Sequence, residues 1–597
     1  MTVAALCLLV PLLGAAALVS LGPVLPRHAA PLLALAATGA VVALAAVLVG
    51  RVDPGPLVLW AGGWRPRDGA AIGISLAVDD AGAAMTTLAA VLTALAIAVS
   101  ARVVSERSHQ FDALMLVFLA GVAGFCLTGD LFDLFVFFEL FSVAAYVLVG
   151  YQVDERAPLE GSLSFAVTNT AGSILVLFGI GLLYGRTGAL NLAQIGVALR
   201  GGGPDALLVC AFALLLAGFL VKAAIVPFHF WTADAYAVAP TSVCILLAGV
   251  MSELGLFAIA RVWWTALEPG LGGHAEAIRT VLVVTGLVSA LIGSVMALAQ
   301  HHLRRMLAFE TIAHLGILLV GVGLLSVPAL AGVAIFVVGD GLVRAGMFVG
   351  VGVLDLRLGS VDEGELHGRG RPLAALGLVF ALGALLIAAL PPGGAFLGRA
   401  LIEDDAIKTG HTWAVPAVVL ASALSGGALL RAGARVFLGL GDPAPVDPEE
   451  AERYARPLER APALIWVPAA ALVVGGLVWG LLPGLVHAAG RAAAAFADPA
   501  RTAAVVLGGR AGTPLRAVSV PEPGGEAYAL AFVSAAGAFA VGALGLWHRR
   551  LQIAVPGWAV EAMEALRRAH SGHVGDYLAW LAAGAALLGG VLAVAVL

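Results

Sequence analysis

Apolar stretches of about 20 residues recur along almost the whole sequence, and each is long enough to cross the hydrocarbon core of a bilayer as a helix. Of the 597 residues, 61% are hydrophobic and only 12% are charged, whereas soluble domains are about one-quarter charged. The composition therefore excludes a soluble globular protein. We predict an all-α, polytopic membrane protein with about 16 transmembrane helices, located in the cell membrane, which is the plasma membrane if the source is bacterial.

The predicted spans follow one another closely and leave little room for a soluble domain. By residue number they are 3–21, 30–50, 77–100, 111–129, 131–151, 161–185, 205–228, 240–265, 277–299, 306–325, 328–354, 373–398, 411–438, 462–482, 528–547 and 577–597, numbered here 1 to 16. Residues 440–460 and 485–527 are rich in charge and proline, which predicts surface loops. Residues 549–576 mix arginines with apolar side chains, which is typical of an interfacial helix but also fits a solvated linker.

The residue types exclude several classes of function. The net charge of −5 is small for this length and no basic tract occurs, so we expect no nucleic-acid partner. The four cysteines stand apart in apolar runs, which predicts no metal centre and no iron–sulfur cluster. No glycine-rich phosphate-binding motif occurs, so we expect no nucleotide or other cofactor and no catalytic site of the chain's own. The driving force must come from a gradient or from a partner, which leaves open membership of a redox-driven complex.

Lys222 and Glu139 stand out because each is ionisable and lies inside a predicted span. Only two of the 33 basic residues are lysines, Lys222 and Lys408. An arginine stays protonated, whereas a buried lysine can exchange a proton near neutral pH. Glu139 has apolar neighbours for a full turn on each side, so it needs a cation, water or a proton, and Lys222 is its predicted partner. The alternative for Lys222 is a structural lysine that snorkels from a helix end.

Further ionisable residues occur in the following spans. Glu253 lies about three turns into span 8. Pairs spaced four residues apart share one helix face: Glu310 with His314, Asp340 with Arg344, and Arg399 with Glu403. Each pair alone fits a neutralised structural pair. Together they form polar groups on consecutive helices, which is typical of a proton relay.

Two predicted spans are interrupted by proline. Span 7 is broken at Pro227, shortly before His229, and span 12 is broken at Pro391 and Pro392. The two interruptions lie five spans apart. Discontinuous helices at corresponding positions of two five-helix units indicate an internally repeated transporter with sites near the membrane midplane.

Four segments resemble the antiporter-like subunits shared by respiratory complex I, energy-converting membrane hydrogenases and Mrp-type multisubunit sodium/proton antiporters. They are TGDLFDLFVFFELFSVAAYVLVGY at 128–151, GFLVKAAIVPFHFWTADAYAVAPTSVCILLAGVMSELGLFAI at 218–259, LRRMLAFETIAHLGILLVG at 303–321 and ALPPGGAFLGR at 389–399. The GGW at 62–64 leans toward the Mrp type, in particular its D-type component. The resemblance covers roughly residues 60–440.

The resemblance implies two inverted five-helix repeats, each holding a half-channel, joined by a central hydrophilic axis. The predicted organisation is spans 1–3 in residues 1–110, a first repeat in 111–265, a second repeat in 277–438, and spans 14–16 with polar loops and the interfacial helix in 439–597. Glu139 and Lys222 match the family's glutamate of span 5 and lysine of span 7, the pair whose separation moves charge.

Three positions depart from the family's pattern. Glu253 replaces a lysine in span 8, Asp340 and Arg344 stand where span 11 has histidine and lysine, and Arg399 replaces the lysine of span 12. Since an arginine does not readily release a proton, the second half needs a rerouted path. Glu253, Glu310, His314 and Asp340 are the groups that could supply it; otherwise conduction is lost.

We therefore predict an ion-translocating, antiporter-like subunit of a multisubunit membrane complex, which moves protons with or without exchange for sodium. Lys222 is the predicted switching cation and Glu139 its counter-charge. His229 relays protons from the broken helix, and Glu253 with His314 leads toward the second half. Two alternatives are a non-conducting scaffold subunit of an oxidoreductase or hydrogenase complex and the membrane partner in an inorganic-carbon uptake system.

Overall fold

The computed structural model describes residues 2–24, 26, 28–50, 55–67, 69–103, 108–442, 466–508, 520–547 and 557–597. Within these residues the chain is mostly helical, and twelve helical stretches are long and apolar enough to cross a membrane. Three shorter apolar helices accompany them: Ala206–Lys222, Arg371–Ile387 and Val467–Trp479. The structure confirms a mostly helical, polytopic membrane protein.

The N-terminal part combines three long helices with a small β-hairpin. Its elements are α1 (Thr2–Leu21), α2 (Ala29–Leu48), β1 (Leu57–Trp60), β2 (Ser75–Val78) and α3 (Asp80–Val103). β1 pairs antiparallel with β2, and Leu57 lies opposite Val78. The hairpin corrects the predicted all-α class. Strands of four residues are too short to register in a pattern read over the roughly 20 residues of a membrane span.

The next part contains the helices that carry Glu139, Lys222 and Glu253. They are α4 (His109–Leu127), α5 (Leu131–Val149), α6 (Arg156–Thr187), α7 (Leu192–Ala198), α8 (Ala206–Lys222), α9 (Phe230–Val238), α10 (Thr241–Leu246), α11 (Glu253–Val262) and α12 (Glu268–Leu271). Pro227 lies in the non-helical connection between α8 and α9, where its missing N–H costs no helical hydrogen bond. A π-helical turn over Leu247–Met251 precedes α11.

Six helices follow and carry the remaining predicted charges. They are α13 (Ala275–Leu298), α14 (Leu303–Gly323), α15 (Val327–Leu358), α16 (Ala374–Ile387), α17 (Gly394–Lys408) and α18 (Ala414–Gly433). Pro391 and Pro392 lie between α16 and α17, outside both helices. The connection from α16 to α17 thus resembles the one from α8 to α9, because each places proline between two short helices.

The C-terminal part contains six more helices. They are α19 (Val467–Trp479), α20 (Leu485–Phe496), α21 (Pro499–Gly508), α22 (Gly525–Trp547), α23 (Gly557–Ala569) and α24 (Val574–Val596). Most of the loop predicted at 440–460 and the start of the interfacial helix predicted at 549–576 lie outside the described residues. Residues 557–569 of the latter are helical, as α23.

The surface loop predicted over 485–527 is wrong where α20 and α21 lie. α20 is rich in alanine, which favours helix, and it buries Val486, Ala489, Ala493 and Phe496 at helical spacing. Its 12 residues are too few to span a bilayer. The low hydropathy of an amphipathic helix was therefore mistaken for that of a loop.

Glycines let the helices that carry the charged residues approach closely. A Cβ added to Gly341 on α15 would lie 2.6 Å from the carbonyl oxygen of Gly249 in the π-helical turn. A Cβ added to Gly332, also on α15, would lie 2.7 Å from the carbonyl oxygen of Gly398 on α17. These contacts hold α15 directly against both the segment that leads into α11 and the helix α17.

Candidate functional site

Lys222 ends α8 in a closed aromatic environment. The residue is 0% exposed, and its Nζ donates a hydrogen bond of 2.6 Å to Ser142 Oγ on α5. Four aromatic rings have their centroids 4.9 to 5.8 Å from Nζ: Phe138, Phe141, Tyr146 and Phe165. The faces of aromatic rings attract a cation. Lys222 therefore does not snorkel to the surface but lies in what we call the aromatic box, formed by these four rings and Ser142.

The aromatic box follows from the sequence of α5. Phe138, Phe141, Ser142 and Tyr146 recur at spacings of three and four, which places them on one face of the helix. Phe165 of α6 closes the box and stacks on Trp231, with ring centroids 4.4 Å apart. The Trp231 indole in turn donates to the carbonyl of Val221 at 3.0 Å. The spacing on α5 is a signal in the sequence that could have identified Ser142 and its aromatic neighbours.

Glu139 lies next to the aromatic box but not inside it. It is close enough to Lys222 to interact electrostatically, yet the nearest partner of the ammonium is the neutral hydroxyl of Ser142. Glu139 Oε1 has no hydrogen-bond partner among the described residues. Successive residues point about 100° apart around a helix, so Glu139 faces away from the ring of Phe138. The two predicted partners are thus neighbours without a direct ion pair.

Five buried ionisable side chains from three helices contact one another in an unbroken chain. Arg344 on α15 pairs with Glu253 on α11, and its Nε lies 2.8 Å from Asp340 Oδ2. His314 Nδ1 on α14 lies 2.7 Å from Asp340 Oδ1 and 3.1 Å from Glu310 Oε1. All five side chains are at most 1% exposed. We call this chain, from Glu253 through Arg344, Asp340 and His314 to Glu310, the charged axis.

The charge balance of the charged axis requires a shared proton. Three carboxyl groups accompany a single permanently charged group, the guanidinium of Arg344. Leaving negative charges unpaired inside a membrane protein costs several kcal/mol each. His314 bridges Asp340 and Glu310, so a proton held there neutralises the remaining charge. The charged axis therefore contains a proton that can move between an imidazole and two carboxyl groups.

Glu310, His314 and Asp340 also place one potential metal-ligand atom each within 4.8 Å of one another. Asp340 is already paired with Arg344. The positive charge of that guanidinium opposes binding of a metal cation at the same carboxylate. The arrangement suits proton sharing better than metal coordination.

Arg399 lies apart from the charged axis. Its Nε is 3.2 Å from Glu403 Oε1 one turn later on α17, and its Nη1 donates to Ser534 Oγ on α22 at 3.2 Å. Among the described contacts, none joins Arg399 to the charged axis. Arg399 and Glu403 form a separate buried pair that faces a C-terminal helix.

His229 contacts a residue that the sequence analysis did not identify. It is 3% exposed, and its Nε2 lies 3.1 Å from Nε2 of His570, between α23 and α24. The two histidines are 341 residues apart in sequence, and no local spacing connects them. Only the packing of the C-terminal helices brings them together.

Buried ion pairs outside the predicted set also connect distant segments. Arg261 on α11 pairs with Asp79 at the start of α3. Glu363 is fully buried and accepts from cationic groups of three residues: His301, Arg431 and Arg435. These groups lie near helix ends, where charge is common in membrane proteins, so hydropathy alone did not single them out.

Comparison with known proteins places these residues in context. Residues 128–425 match the family model described as NADH:quinone oxidoreductase/Mrp antiporter, transmembrane. The chain is 31% identical over 462 residues to the N subunit of NADH-quinone oxidoreductase from Desulforudis audaxviator, which covers 75% of this chain and 88% of that protein. It is 28% identical over 451 residues to the D-type component of the Na(+)/H(+) antiporter from Bacillus subtilis, with 75% and 87% covered.

A solved structure gives the same result at the level of the fold. A chain of the Mrp complex from Dietzia sp. DQ12-45-1b superposes with a TM-score of 0.74 at 27% sequence identity, covering 85% of this chain and 100% of that one. The family match includes the aromatic box, the charged axis and Arg399. It ends before α19, so α23, α24 and His570 lie outside it.

Proposed function

The chain belongs to the NADH:quinone oxidoreductase/Mrp antiporter transmembrane family, and on that premise we propose that it translocates protons through its charged axis as a subunit of a multisubunit membrane complex. The observation that carries the proposal is the unbroken contact of Glu253, Arg344, Asp340, His314 and Glu310 in a fully buried place. Intramembrane ionisable groups in such a chain are expensive to keep and mark ion pathways.

Lys222 supplies the proposed entry to the charged axis. Gly255, two residues after Glu253, packs on the backbone of Ala223, the residue after Lys222: a Cβ on Gly255 would lie 2.8 Å from Ala223 N. α11 therefore lies against the end of α8. In the proposed cycle the ammonium of Lys222 shifts between the side of Glu139 and the side of Glu253, and each shift changes the field that acts on the charged axis.

Each member of the charged axis has a distinct proposed role. His314 passes a proton between Asp340 and Glu310, because an imidazole has one nitrogen to accept and one to donate. Arg344 remains protonated and holds Glu253 and Asp340 in place, because a guanidinium does not exchange protons under physiological conditions. The path thus runs through carboxyl groups and a histidine, where the family commonly uses lysines.

The finer architecture is part of the proposal. We propose about 16 spans, with inverted five-helix repeats over 111–265 and 277–438, between N-terminal helices over 1–110 and C-terminal helices over 439–597. The proline-containing connections α8–α9 and α16–α17 support this, because they occupy corresponding places in the two repeats.

A non-conducting scaffold subunit is the second candidate function. Arg344 and Arg399 favour it, because arginine at both positions removes two groups that could release a proton. In that case the charged axis is a structural network that fixes the packing of α11, α14 and α15.

Proton flux into proteoliposomes that hold the assembled complex distinguishes the two candidates. His314→Gln keeps a polar side chain but cannot take up a proton. We expect it to lower the flux by about 100-fold, the contribution of a positioned proton-transfer group. His411→Gln is the matched control, because His411 is also buried but lies outside the charged axis. Equal flux in His314→Gln and wild type contradicts the proposed function and supports the scaffold.

A further inference from the structure

The C-terminal hairpin, which we define as α23, α24 and their connection, covers the interruption between α8 and α9. A Cβ on Gly584 of α24 would lie 2.5 Å from Pro227 Cγ. Tyr577 stacks on Phe230, with ring centroids 5.2 Å apart, and donates from its hydroxyl to Asp234 Oδ2 at 2.7 Å. The hairpin is thus fixed by apolar and polar contacts to the segment that follows Lys222.

His570 lies in this hairpin and meets His229 through one nitrogen of each ring. His570 Nδ1 is 2.8 Å from the carbonyl oxygen of Leu566. A carbonyl can only accept, so Nδ1 carries the proton, and in the neutral ring Nε2 of His570 is an acceptor. His229 Nε2, at 3.1 Å, must then be the donor. The hydrogen-bonding pattern assigns one proton between the two rings and fixes its direction.

The same logic leaves the other nitrogen of His229 ready to receive a proton. With its proton on Nε2, His229 has a bare lone pair on Nδ1. This atom is buried and has no hydrogen-bond partner among the described residues. His570, in contrast, is partly exposed. The pair therefore has one end inside the protein and one end that water can reach.

We propose that His570 is the outer member of a two-histidine proton relay that connects His229, and through it the interior beside Lys222, to water at the surface covered by the C-terminal hairpin. A proton that arrives at His229 Nδ1 is matched by transfer of the Nε2 proton to His570 Nε2. His570, then protonated on both nitrogens, releases one proton to water. One proton enters and one leaves, and reorientation of the rings restores the starting hydrogen bond.

The proposal rests on the proposed proton translocation, and the neighbouring charges are consistent with a transient cation at His570. Asp234 on α9 attracts that charge, whereas Arg305 on α14 opposes it. The two are themselves paired, 3.2 Å apart. Because the pair largely cancels, a proton on His570 is neither trapped nor strongly expelled.

The test compares proton flux into proteoliposomes that hold the assembled complex with wild-type chain, His570→Gln, His573→Gln or Lys222→Met. Glutamine keeps a hydrogen-bonding group but carries no proton onward, so we expect His570→Gln to lower the flux by about 100-fold. His573→Gln, an exposed histidine three residues away, should match wild type. Wild-type flux in His570→Gln together with loss of flux in Lys222→Met overturns the relay and leaves the proposed function standing.

A second readout separates proton transfer from a structural role. In His570→Ala, imidazole added to the buffer should restore a large part of the flux, because the free base can occupy the vacated volume and carry the proton. Loss of flux without rescue, at equal recovery of the assembled complex, overturns the relay. If His570→Ala does not assemble, His570→Gln carries the test. Wild-type flux in both His570→Gln and Lys222→Met overturns the relay and the proposed function together.

Discussion

Lys222 and Arg344 are both fully buried cations, but their surroundings differ. Lys222 has a hydroxyl and four aromatic rings around its ammonium, whereas Arg344 is paired with two carboxylates. A lysine without a directly bound anion is free to release its proton or to move. An arginine between two anions is fixed in both charge and position. The two residues therefore divide the work between a mobile charge and a permanent one.

We predict that Arg344→Met strongly destabilises the protein. The change leaves the buried carboxylates of Glu253 and Asp340 without their cation, which costs about 3–5 kcal/mol. Thermal unfolding of the purified complex should therefore begin at a clearly lower temperature. Arg156→Met is the control, because Arg156 pairs with Glu160 on the exposed surface and exposed pairs contribute little. Equal thermal stability of the two variants would count against the charged axis as described.

At the scale of elements, contacts between backbones determine which charges meet. Arg344 reaches Glu253 because Gly341, one turn before it on α15, allows the π-helical turn that contains Gly249 to approach within contact distance. π-Helical turns occur often at functional sites. The charged axis therefore depends on an element contact that contains no charged residue.

We predict that Gly341→Val interrupts the charged axis without removing any of its members. The added Cβ would meet the carbonyl oxygen of Gly249 at 2.6 Å, so α15 must move away from the segment that leads into α11. Proton flux should fall to the level of Lys222→Met while the amount of assembled complex stays measurable. Gly181→Val on α6, where an added Cβ meets open space, should behave as wild type. Normal flux in Gly341→Val would show that close packing here is dispensable.

The docking of the C-terminal hairpin should weaken in acid. Burial lowers the pKa of His570, which precedes α24, with smaller opposed effects of Asp234 and Arg305. The undocked form therefore binds a proton more readily than the docked form, so docking is strongest above the ordinary histidine pKa of about 6.5 and weakens as the pH falls below it. Protonation also replaces the acceptor nitrogen that faces His229 with a second donor.

Amide hydrogen exchange over residues 557–573, corrected for the intrinsic effect of pH, measures this docking. We expect less protection at about pH 5.5 than at about pH 7.5, on either side of the ordinary histidine pKa. His570→Gln should remove most of the difference. The same protection at both pH values in the wild-type chain would contradict the pH dependence.

At the scale of the whole molecule, hydropathy and charge predicted much of the architecture. Lys222 and the i,i+4 pairs of α14 and α15 stand out in the sequence because ionisable groups are rare inside apolar spans. The short β-hairpin and α20 were missed, because neither reaches the length at which a membrane span is recognised.

The contacts between distant segments could not be predicted, for a physical reason. The spacing of Asp340 and Arg344 is a property of one helix, but the pairing of Arg344 with Glu253 depends on how α11 packs on α15. Packing of membrane helices is set by small residues and local shape, which carry no pattern at the scale of a span. The contact of His229 with His570 depends likewise on the docking of a hairpin at the far end of the chain.

Proton flux in the assembled complex with Lys222→Met tests most directly whether this chain conducts protons. The methionine keeps the length and apolar character of the side chain but removes the titratable cation from the aromatic box. Lys408→Met is the matched control, because Lys408 lies on the exposed surface and pairs with Asp404. We predict that Lys222→Met abolishes the flux while Lys408→Met retains it. Equal flux in wild type, Lys222→Met and Lys408→Met would contradict proton translocation through this chain.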